Sequence, residues 1–455
     1  MMSIHSTSLV RALRNTFEGS VIGPGDGDWD VARRAFNLAV DQRPALVAVP
    51  RDARDVVAAV RFAADNGLRV APQVGGHNAG PLGDLSGSIL LKTTEMNSFE
   101  VDAPNRHARA EAGVKWGPLV DVLSTEGLVA LSGSARDVSV VPYSLGGGLG
   151  WLGRKRGLQA NAVTAVELVT ADGRQLHADQ DTEPELFWAV RGGAANFGIV
   201  TAIEFEIFPL QEMYGGSLFF PFESASEVVH AWREWGLTLP DEVSTTMKLV
   251  QFPPLPTIPE PLRGNSYSAV QAAVIGDEAY SDAIVAPLRA LAPEIDTFKQ
   301  LQPDDLSHIA MDPEEPLPLL GDGRLFGDIP PEGFDRFVAN AGPGSGTELQ
   351  VAEMRLLGGA LGHSHEGHGA VEKLDGTYTA YLVGAIADPP KADAILARIN
   401  KVYGAMREYE SGRYLNFAEL SSEPEQFFGA ERTVRLRRLR EQWDPQRLLH
   451  ANHQI

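Results

Sequence analysis

Three side chains in this sequence carry groups that could take part in catalysis: an imidazole, a carboxylate and a phenol. They are His77, Glu353 and Tyr414. Each group can hold or accept a proton when its surroundings tune it. The chain has no cysteine, which excludes thiol nucleophiles, iron–sulfur clusters, thiolate zinc sites and disulfides. Any demanding redox chemistry therefore requires a bound organic cofactor.

The histidine lies in a glycine turn. Residues 68–72 form a strand-like run that ends in Gly75-Gly76-His77-Asn78. Adjacent glycines permit positive φ and expose backbone N–H groups, which suits close approach of a phosphate or a flat ligand. Taken alone, this stretch is more typical of an ordinary tight turn than of a ligand site.

Two further glycine loops follow, at residues 145–151 and 191–198. Each loop comes at the end of a predicted strand or helix, and each alone is explained by a tight turn. Three such loops in one βα-rich half predict an extended, dinucleotide-like ligand with phosphates and a ring system.

The elements that must position these loops form a βαβ unit: a strand at 44–50, a helix at 52–66 and the strand at 68–72. We also predict helical spacing over residues 29–40. From about residue 209 the pattern changes to strands such as 242–250 and 266–275 mixed with helices, which is typical of an α+β arrangement around an antiparallel sheet.

The composition and the net charge of the chain argue against several classes of binding partner. The 455 residues carry a net charge of −21 with a pI near 4.9, which argues against nucleic acid or an anionic membrane as partner. No apolar run reaches the roughly 18 residues of a membrane span, and the N-terminal residues lack the apolar core of a signal peptide. We therefore expect a cytoplasmic protein of more than one core.

The ordered motifs resemble those of FAD-linked oxidases of the vanillyl-alcohol-oxidase (PCMH-type FAD-binding) superfamily, in the berberine-bridge-enzyme-like branch. The resemblance covers nearly the whole chain. The matching stretches are Gly75-Gly76-His77-Asn78, 146–152, 170–173, 186–193, 196–198, 357–360, 414–416 and Asp444-Pro445.

The resemblance implies an α+β fold in which a two-part FAD-binding domain, residues 1–208 and 412–455, encloses a substrate-binding domain over residues 209–411. That inserted domain is expected to be an antiparallel sheet flanked by helices. It implies FAD as cofactor and no metal. The residues that the resemblance assigns to cofactor binding are Gly75, Gly76, His77, Asn78, Gly146, Gly147, Gly148, Gly198, Val200 and Asn416.

In the family, the histidine of the first turn bonds to the 8α-methyl group of the flavin, and His77 occupies that position. Many members add a cysteine as a second link, but Ala135 stands where that cysteine would lie. Because the chain has no cysteine, His77 is expected to be the only covalent link.

Two residues compete as the base that accepts a substrate proton. Strand alternation over 349–357 places Glu353 and Arg355 on one face and Ala352, Met354 and Leu356 on the other. In the resembling enzymes the polar face of this strand meets substrate, so Arg355 is expected to contact it. The alternative is a Glu353–Arg355 surface pair.

Tyr414 is the second candidate base. A phenol titrates near pH 10, so it would need either a cationic neighbour, which Arg355 could supply, or a stabilising hydrogen bond. The alternative for Tyr414 is a packing role. Tyr381, on another predicted strand, is a further substrate-contacting candidate.

Two other clusters have plainer explanations. Residues 363–368 contain three histidines between glycines, and a loop at the rim of the site is favoured over a metal site. The basic run 154–156 is interpreted as a solvated corner in so acidic a chain.

The first hypothesis is an FAD-dependent oxidase that takes hydride from a C–H next to oxygen or nitrogen in a small, secondary-metabolite-like molecule, with O2 as acceptor. The second is a flavin-dependent oxygenase that acts on a polyketide-like substrate through a flavin–oxygen adduct. A non-catalytic binding protein on the same fold is the third, and the intact glycine loops argue against it. The exact substrate, the stereochemistry and the oligomeric state stay open.

Overall fold

The computed structural model describes residues 2–209 and 212–455, with side chains from residue 8 onward. Its first sheet has four strands in the order β1-β2-β4-β3. They are β1 (Ser20–Ile22), β2 (Leu46–Val49), β3 (Arg69–Gln73) and β4 (Ser88–Lys92). The β1–β2 pairing is antiparallel and the other two pairings, β2–β4 and β3–β4, are parallel. Strands β3 and β4 therefore end at the same edge of the sheet, where α/β sheets present ligands.

The described residues form thirteen α-helices. They are α1 (Met2–Arg14), α2 (Trp29–Ala32), α3 (Ala53–Asp65), α4 (Trp116–Thr125), α5 (Val140–Leu145), α6 (Gly153–Arg156), α7 (Gln159–Ala162), α8 (Pro184–Gly193), α9 (Ala225–Gly236), α10 (Glu278–Arg289), α11 (Pro331–Ala341), α12 (Pro389–Ala405) and α13 (Glu425–Trp443). Among the residues described, no helix is both long enough and apolar enough to cross a bilayer.

The predicted helix over residues 29–40 is wrong beyond its first turn, because α2 ends at Ala32. The backbone N–H groups of Phe36 and Asn37 donate instead to the carbonyls of Gly75 and Gly76, at 2.8 and 3.4 Å. Phe36 is also buried. Long-range bonds to the first glycine loop therefore replace the local helical ones at this point.

The second sheet has five antiparallel strands in the order β5-β6-β10-β8-β9. They are β5 (Phe99–Asp102), β6 (His107–Glu111), β8 (Val163–Val169), β9 (Gln175–Asp179) and β10 (Ile199–Glu206). A separate short pair joins β7 (Leu128–Val129) and β11 (Phe208–Pro209). Helices α4, α5 and α8 contribute to the hydrophobic core of this sheet.

The third sheet has nine antiparallel strands in the order β15-β12-β14-β13-β18-β19-β17-β20, with β16 paired to β12. They are β12 (Met213–Pro221), β13 (Val243–Gln251), β14 (Ser266–Ile275), β15 (Ile295–Asp296), β16 (Lys299–Leu301), β17 (Leu319–Phe326), β18 (Val351–Leu356), β19 (Tyr378–Ala385) and β20 (Glu410–Gly412).

One face of the third sheet is apolar and covered by α9, α11 and α12, whose side chains share a core with it. Ala352, Met354 and Leu356 lie on this face, as the alternation predicts. The opposite face carries Glu353 and Arg355. The expected α+β fold, with an antiparallel sheet flanked by helices, is therefore confirmed.

The C-terminal tail returns to the first sheet. Val70 of β3 accepts from the N–H of His450 at 2.8 Å and donates to the carbonyl of Leu448 at 2.9 Å. The carboxylate of Asp444 accepts from the N–H groups of Leu448 and Leu449 at 2.8 and 3.0 Å. The tail is thereby held beside the strand that leads into the first glycine loop.

Candidate active site

The first glycine loop leaves β3 in a tight path. Gly76 has a φ of +84°, and a Cβ atom there would lie 2.9 Å from the Cδ atom of Gln73 and 3.0 Å from the Cβ atom of Ala35. Only glycine takes this conformation in so little space without strain. The loop therefore fixes the direction in which the next side chain, His77, points.

The His77 ring is held on two sides. Its Nε2 lies 2.8 Å from Oδ2 of Asp137, and its ring stacks on Phe36 with centroids 3.7 Å apart and planes 15° from parallel. In the described part of the chain, Nδ1 has no hydrogen-bond partner. About a third of the side chain (31%) is exposed, so Nδ1 remains available to a ligand.

Asn78 joins this loop to the C-terminal segment. Its amide donates to the carbonyls of Ala418 and Leu415, at 3.0 and 3.3 Å. Its Oδ1 atom is buried without a partner in the described structure. The amide group is thus oriented with its acceptor free.

The second glycine loop follows α5. A Cβ atom on Gly146 would overlap Oδ1 of Asn416, and one on Gly147, whose φ is +119°, would lie 2.9 Å from Cε2 of Tyr414. Gly148 has a φ of +77° and an equally close neighbour in Gln159. The absence of side chains in this loop is what lets the segment around Tyr414 dock on it.

The Tyr414 hydroxyl accepts two hydrogen bonds, from the N–H of Leu149 at 2.9 Å and from the amide of Asn416 at 3.0 Å. Its ring is buried. Burial raises the pKa of Tyr414 above its usual range, more than these hydrogen bonds lower it. The Arg355 guanidinium bonds to Glu353 rather than to this hydroxyl, and its charge lowers the pKa of Tyr414 by less than burial raises it.

Glu353 is 3% exposed and lies between two cations. Its Oε1 accepts from Nε of Arg355 at 2.8 Å, and its Oε2 lies 3.4 Å from Nζ of Lys248. Lys248 is itself buried and faces Glu353 across the β13–β18 register. The alternative of a Glu353–Arg355 pair is therefore confirmed for the pairing and wrong for the location, because the carboxylate is buried and does not lie at the surface.

Contacts connect this buried triad to the second glycine loop. The Arg355 guanidinium lies 5.0 Å from the ring centroid of Phe417, and that ring is 5.1 Å from the ring of Tyr414. Tyr414 in turn contacts Gly147. The polar face of the third sheet therefore faces the loop that carries Tyr414 and Asn416.

Tyr381 pairs in register with Glu353 on the neighbouring strand. Its hydroxyl donates to the carboxylate of Glu419, and it fits because residue 321 is a glycine, whose Cβ would lie 2.5 Å from the hydroxyl oxygen. Removal from water raises the pKa of Glu419 to about 7. The pair thus adds a proton-holding group at the edge of the polar face.

Sequence reasoning missed Asp137, Lys248 and Glu419. A signal existed for Glu419, which lies three positions after Asn416. Nothing local distinguishes Asp137, 60 positions from His77, or Lys248, 105 positions from Glu353. Only strand register and loop packing bring those residues to their partners.

The third glycine loop packs tightly against the neighbouring strand β8. A Cβ atom on Gly198 would overlap the side chain of Leu168, and Val200 on β10 is almost fully buried. Asn196 donates to the carbonyl of His453 at 2.9 Å and accepts from the N–H of Ile455 at 3.2 Å. The loop therefore anchors the C-terminal tail beside the other two.

The two secondary clusters have structural roles. The N–H of His365 donates to the ring of His368, whose pKa is lowered to about 4 by burial. The described residues contain no group of three or more His, Asp or Glu side chains arranged to hold a metal. In the basic run, Arg154 is buried and donates to the carbonyls of Leu357 and Leu239, so the interpretation as a solvated corner is wrong at that position.

The residues present fit a dinucleotide cofactor. Around His77, several buried polar atoms have no protein partner in the described structure, and these belong to Gln73, Asn78, Asp137 and Ser139. Buried polar groups normally find a partner. A ligand with phosphates and a polar ring would supply those partners, while the glycine N–H groups suit a pyrophosphate.

Comparison with known families agrees with this geometry. Residues 44–179 match the family described as FAD binding domain, and residues 413–455 match the family described as Berberine and berberine like. These two matches, an FAD binding domain and a berberine-like C-terminal segment, support an FAD-linked oxidoreductase of the berberine-bridge-enzyme-like, PCMH type. Its cofactor is therefore FAD.

Individual relatives support the same assignment. (R)-6-hydroxynicotine oxidase of Paenarthrobacter nicotinovorans is 38% identical over 195 residues, which span 43% of each protein. That alignment thus covers less than half of this relative. The uncharacterized FAD-linked oxidoreductase YvdP of Bacillus subtilis (strain 168) is 26% identical over 96% of this chain and 98% of its own.

Among solved structures, the wild-type BBE-like 1 protein of Physcomitrella patens superposes with a TM-score of 0.87 at 20% identity, over 98% of both chains. At this identity the similarity shows the fold.

The second glycine loop generates a first prediction. A methyl group at residue 146 overlaps the Asn416 amide, so we expect Gly146→Ala to displace the segment around Tyr414 and to reduce bound FAD at least tenfold. The measurement is the ratio of flavin to protein absorbance after purification. Gly87→Ala is the matched control, because a Cβ atom there has no neighbour within 4 Å. Normal flavin content in Gly146→Ala would contradict the tight docking.

Glu419 generates a second prediction. Its pKa of about 7 in the folded state lies above that of an unfolded glutamate, so its stabilising contribution is present at low pH and is lost as pH rises through 7. Relative to Glu419→Gln, the free energy of unfolding of the wild type should fall by about 2 kcal/mol between pH 5 and pH 8.

Urea unfolding at both pH values measures this difference. Glu423→Gln, which alters an exposed carboxylate in the same segment, serves as control and should track the wild type. Parallel pH curves for the wild type and Glu419→Gln would rule out the raised pKa.

Proposed function

We propose that this protein is an FAD-dependent oxidase that takes hydride from a C–H next to oxygen or nitrogen in a small, secondary-metabolite-like molecule and passes the electrons to O2. The observation that carries the proposal is the buried Lys248–Glu353–Arg355 triad on the face of the sheet that meets the Tyr414 segment. The name of the relative (R)-6-hydroxynicotine oxidase describes oxidation of a small nitrogen-containing molecule, which is consistent with this reaction class.

We assign residues 1–208 and 412–455 to FAD binding and residues 209–411 to substrate binding. Support comes from the tail that pairs with β3 and from the single nine-stranded sheet formed within residues 213–412. The substrate would lie between the polar face of that sheet and the second glycine loop.

In this proposal FAD supplies the hydride acceptor, and the chain's own residues bind, orient and move protons. Gly75 and Gly76 would face the ligand, whereas the N–H groups of Gly146 and Gly147 donate to the carbonyls of Pro142 and Ser144, each at 3.1 Å, and stabilise the loop itself. The Asn416 amide nitrogen donates to the carbonyl of Tyr143 at 2.9 Å, which fixes the side chain. The Asn416 amide oxygen then points at the backbone of Gly146.

Glu353 is the base that we favour. In this proposal the Glu353 carboxylate accepts the hydroxyl or amine proton of the substrate, and its contacts with Lys248 and Arg355 hold it in a fixed orientation. Tyr414 is less suited, because its hydroxyl already accepts two hydrogen bonds and burial raises its pKa. We assign Tyr414 to positioning Asn416 and the loop, and Arg355 and Tyr381 to contacts with substrate.

Glu353→Gln tests the base. The change keeps the shape and removes the proton-accepting charge, so we expect the rate of anaerobic flavin reduction to fall about 10²- to 10⁴-fold with flavin content unchanged. Substrate is found first by screening alcohols and amines for release of H2O2. Glu348→Gln, which alters a partly exposed carboxylate paired with Arg398, is the control. Reduction of Glu353→Gln at the wild-type rate would exclude Glu353 as base.

The electron acceptor is tested in the same assay. An oxidase forms one H2O2 for each substrate oxidised, whereas an oxygenase incorporates label from 18O2 into the product. Label in the product would replace the oxidase proposal with the oxygenase alternative.

We further propose that His77 forms the only covalent link to FAD, through the flavin 8α carbon. The support is the free Nδ1 of His77 and the lack of any cysteine. Flavin absorbance of the wild type should therefore remain in the pellet after acid precipitation, and His77→Ala should release all of its flavin. Release of all flavin by the wild type would contradict the link while leaving FAD binding intact.

A further inference from the structure

Asp137 is the one protein group in the described structure that bonds to the His77 ring. Its Oδ2 lies 2.8 Å from Nε2, and the residue is only 8% exposed. Its second oxygen, Oδ1, is buried without a partner. A buried carboxylate with this little support is costly, so its placement beside a histidine implies a role for the pair.

The pairing determines the tautomer of His77. A carboxylate is acceptor-only, so the imidazole proton lies on Nε2 and points at Asp137. The lone pair is therefore on Nδ1, the ring atom without a protein partner. The stacked ring of Phe36 at 3.7 Å keeps the imidazole from rotating out of this orientation.

We propose that Asp137 is a positioning residue for covalent attachment of the flavin: it holds His77 in the Nε2–H tautomer, raises the nucleophilicity of Nδ1 and stabilises the positive charge that develops on the ring. The inference rests on the proposed histidyl link. In other proteins a carboxylate that bonds one nitrogen of an imidazole orients the second nitrogen toward a metal or a reacting group. Asp137 would act on His77 in the same way.

Covalent attachment is a two-electron oxidation of the flavin 8α-methyl group. One C–H bond of the 8α-methyl group breaks, and a bond forms between that carbon and Nδ1 of His77. Two protons leave, one from the methyl group and one from Nε2 through Asp137. The two electrons of the broken C–H bond enter the flavin, and O2 then removes them with those protons as H2O2.

The surroundings of the pair allow this exchange. A cavity of about 620 Å³ opens beside it and is lined by Phe36, Gly75 and Asp137. Charged side chains at its wall are Arg34, Lys92, Lys115 and Glu314. The cavity therefore gives a ligand and solvent an approach to the side of the pair on which Phe36, Gly75 and Asp137 lie.

The test is the rate of covalent attachment in the purified protein. Wild type, Asp137→Asn and Asp137→Ala are sampled over time after expression, and the flavin that survives acid precipitation is divided by total flavin. We expect attachment to be at least tenfold slower in Asp137→Asn and slower still in Asp137→Ala, with native flavin absorbance largely kept. Asp121→Asn is the control, because it alters an exposed carboxylate nearby that pairs with Arg136.

Rescue separates this role from a merely structural one. Formate added to Asp137→Ala, and the longer carboxylate in Asp137→Glu, should each restore attachment at least threefold relative to Asp137→Ala alone. Wild-type attachment rates in Asp137→Asn would overturn the inference, as would failure of both rescues. Because the wild type is measured alongside, loss of all covalent flavin there would refute the histidyl link itself, whereas full retention in both proteins would refute only the role of Asp137.

Discussion

The close docking of the C-terminal segment on the second glycine loop is the constraint on which the site depends. Tyr414 and Asn416 approach Gly146 and Gly147 so closely that no side chain fits between them. The Tyr414 hydroxyl bonds to the Leu149 N–H, across 265 positions of sequence. This contact places Phe417 beside Arg355 and so sets the distance between the polar sheet face and the second glycine loop.

Buried charge is the second feature that shapes the site. Lys248, Glu353 and Arg355 are removed from water at a cost that their mutual attraction offsets only when the geometry is good. The covered face of the same sheet is apolar, and an apolar residue at position 353 would spare that cost. The Glu353 carboxylate meets the condition of good geometry, because each of its oxygens lies beside a cation, Arg355 on one side and Lys248 on the other.

Local patterns predicted much of the fold. The alternation over residues 349–357 placed Glu353 and Arg355 on the polar face, because side chains on a strand alternate between the two sides. The helix predicted over residues 29–40 failed because Phe36 and Asn37 bond to Gly75 and Gly76. Similarly, Arg154 was expected in solvent, yet it caps the carbonyl of Leu357. Both errors arise where a contact distant in sequence outweighs the local preference.

The sequence by itself determined the three glycine loops, the polar strand face, the absence of any thiol and the position of His77 at the end of a strand. These properties depend on residue type and on spacing within one element. The partners of the reactive groups were decided only by the tertiary structure: Asp137 beside His77, Lys248 beside Glu353 and Glu419 beside Tyr381. Strand register and loop packing over tens to hundreds of residues create those pairs, and no periodicity in the sequence encodes them.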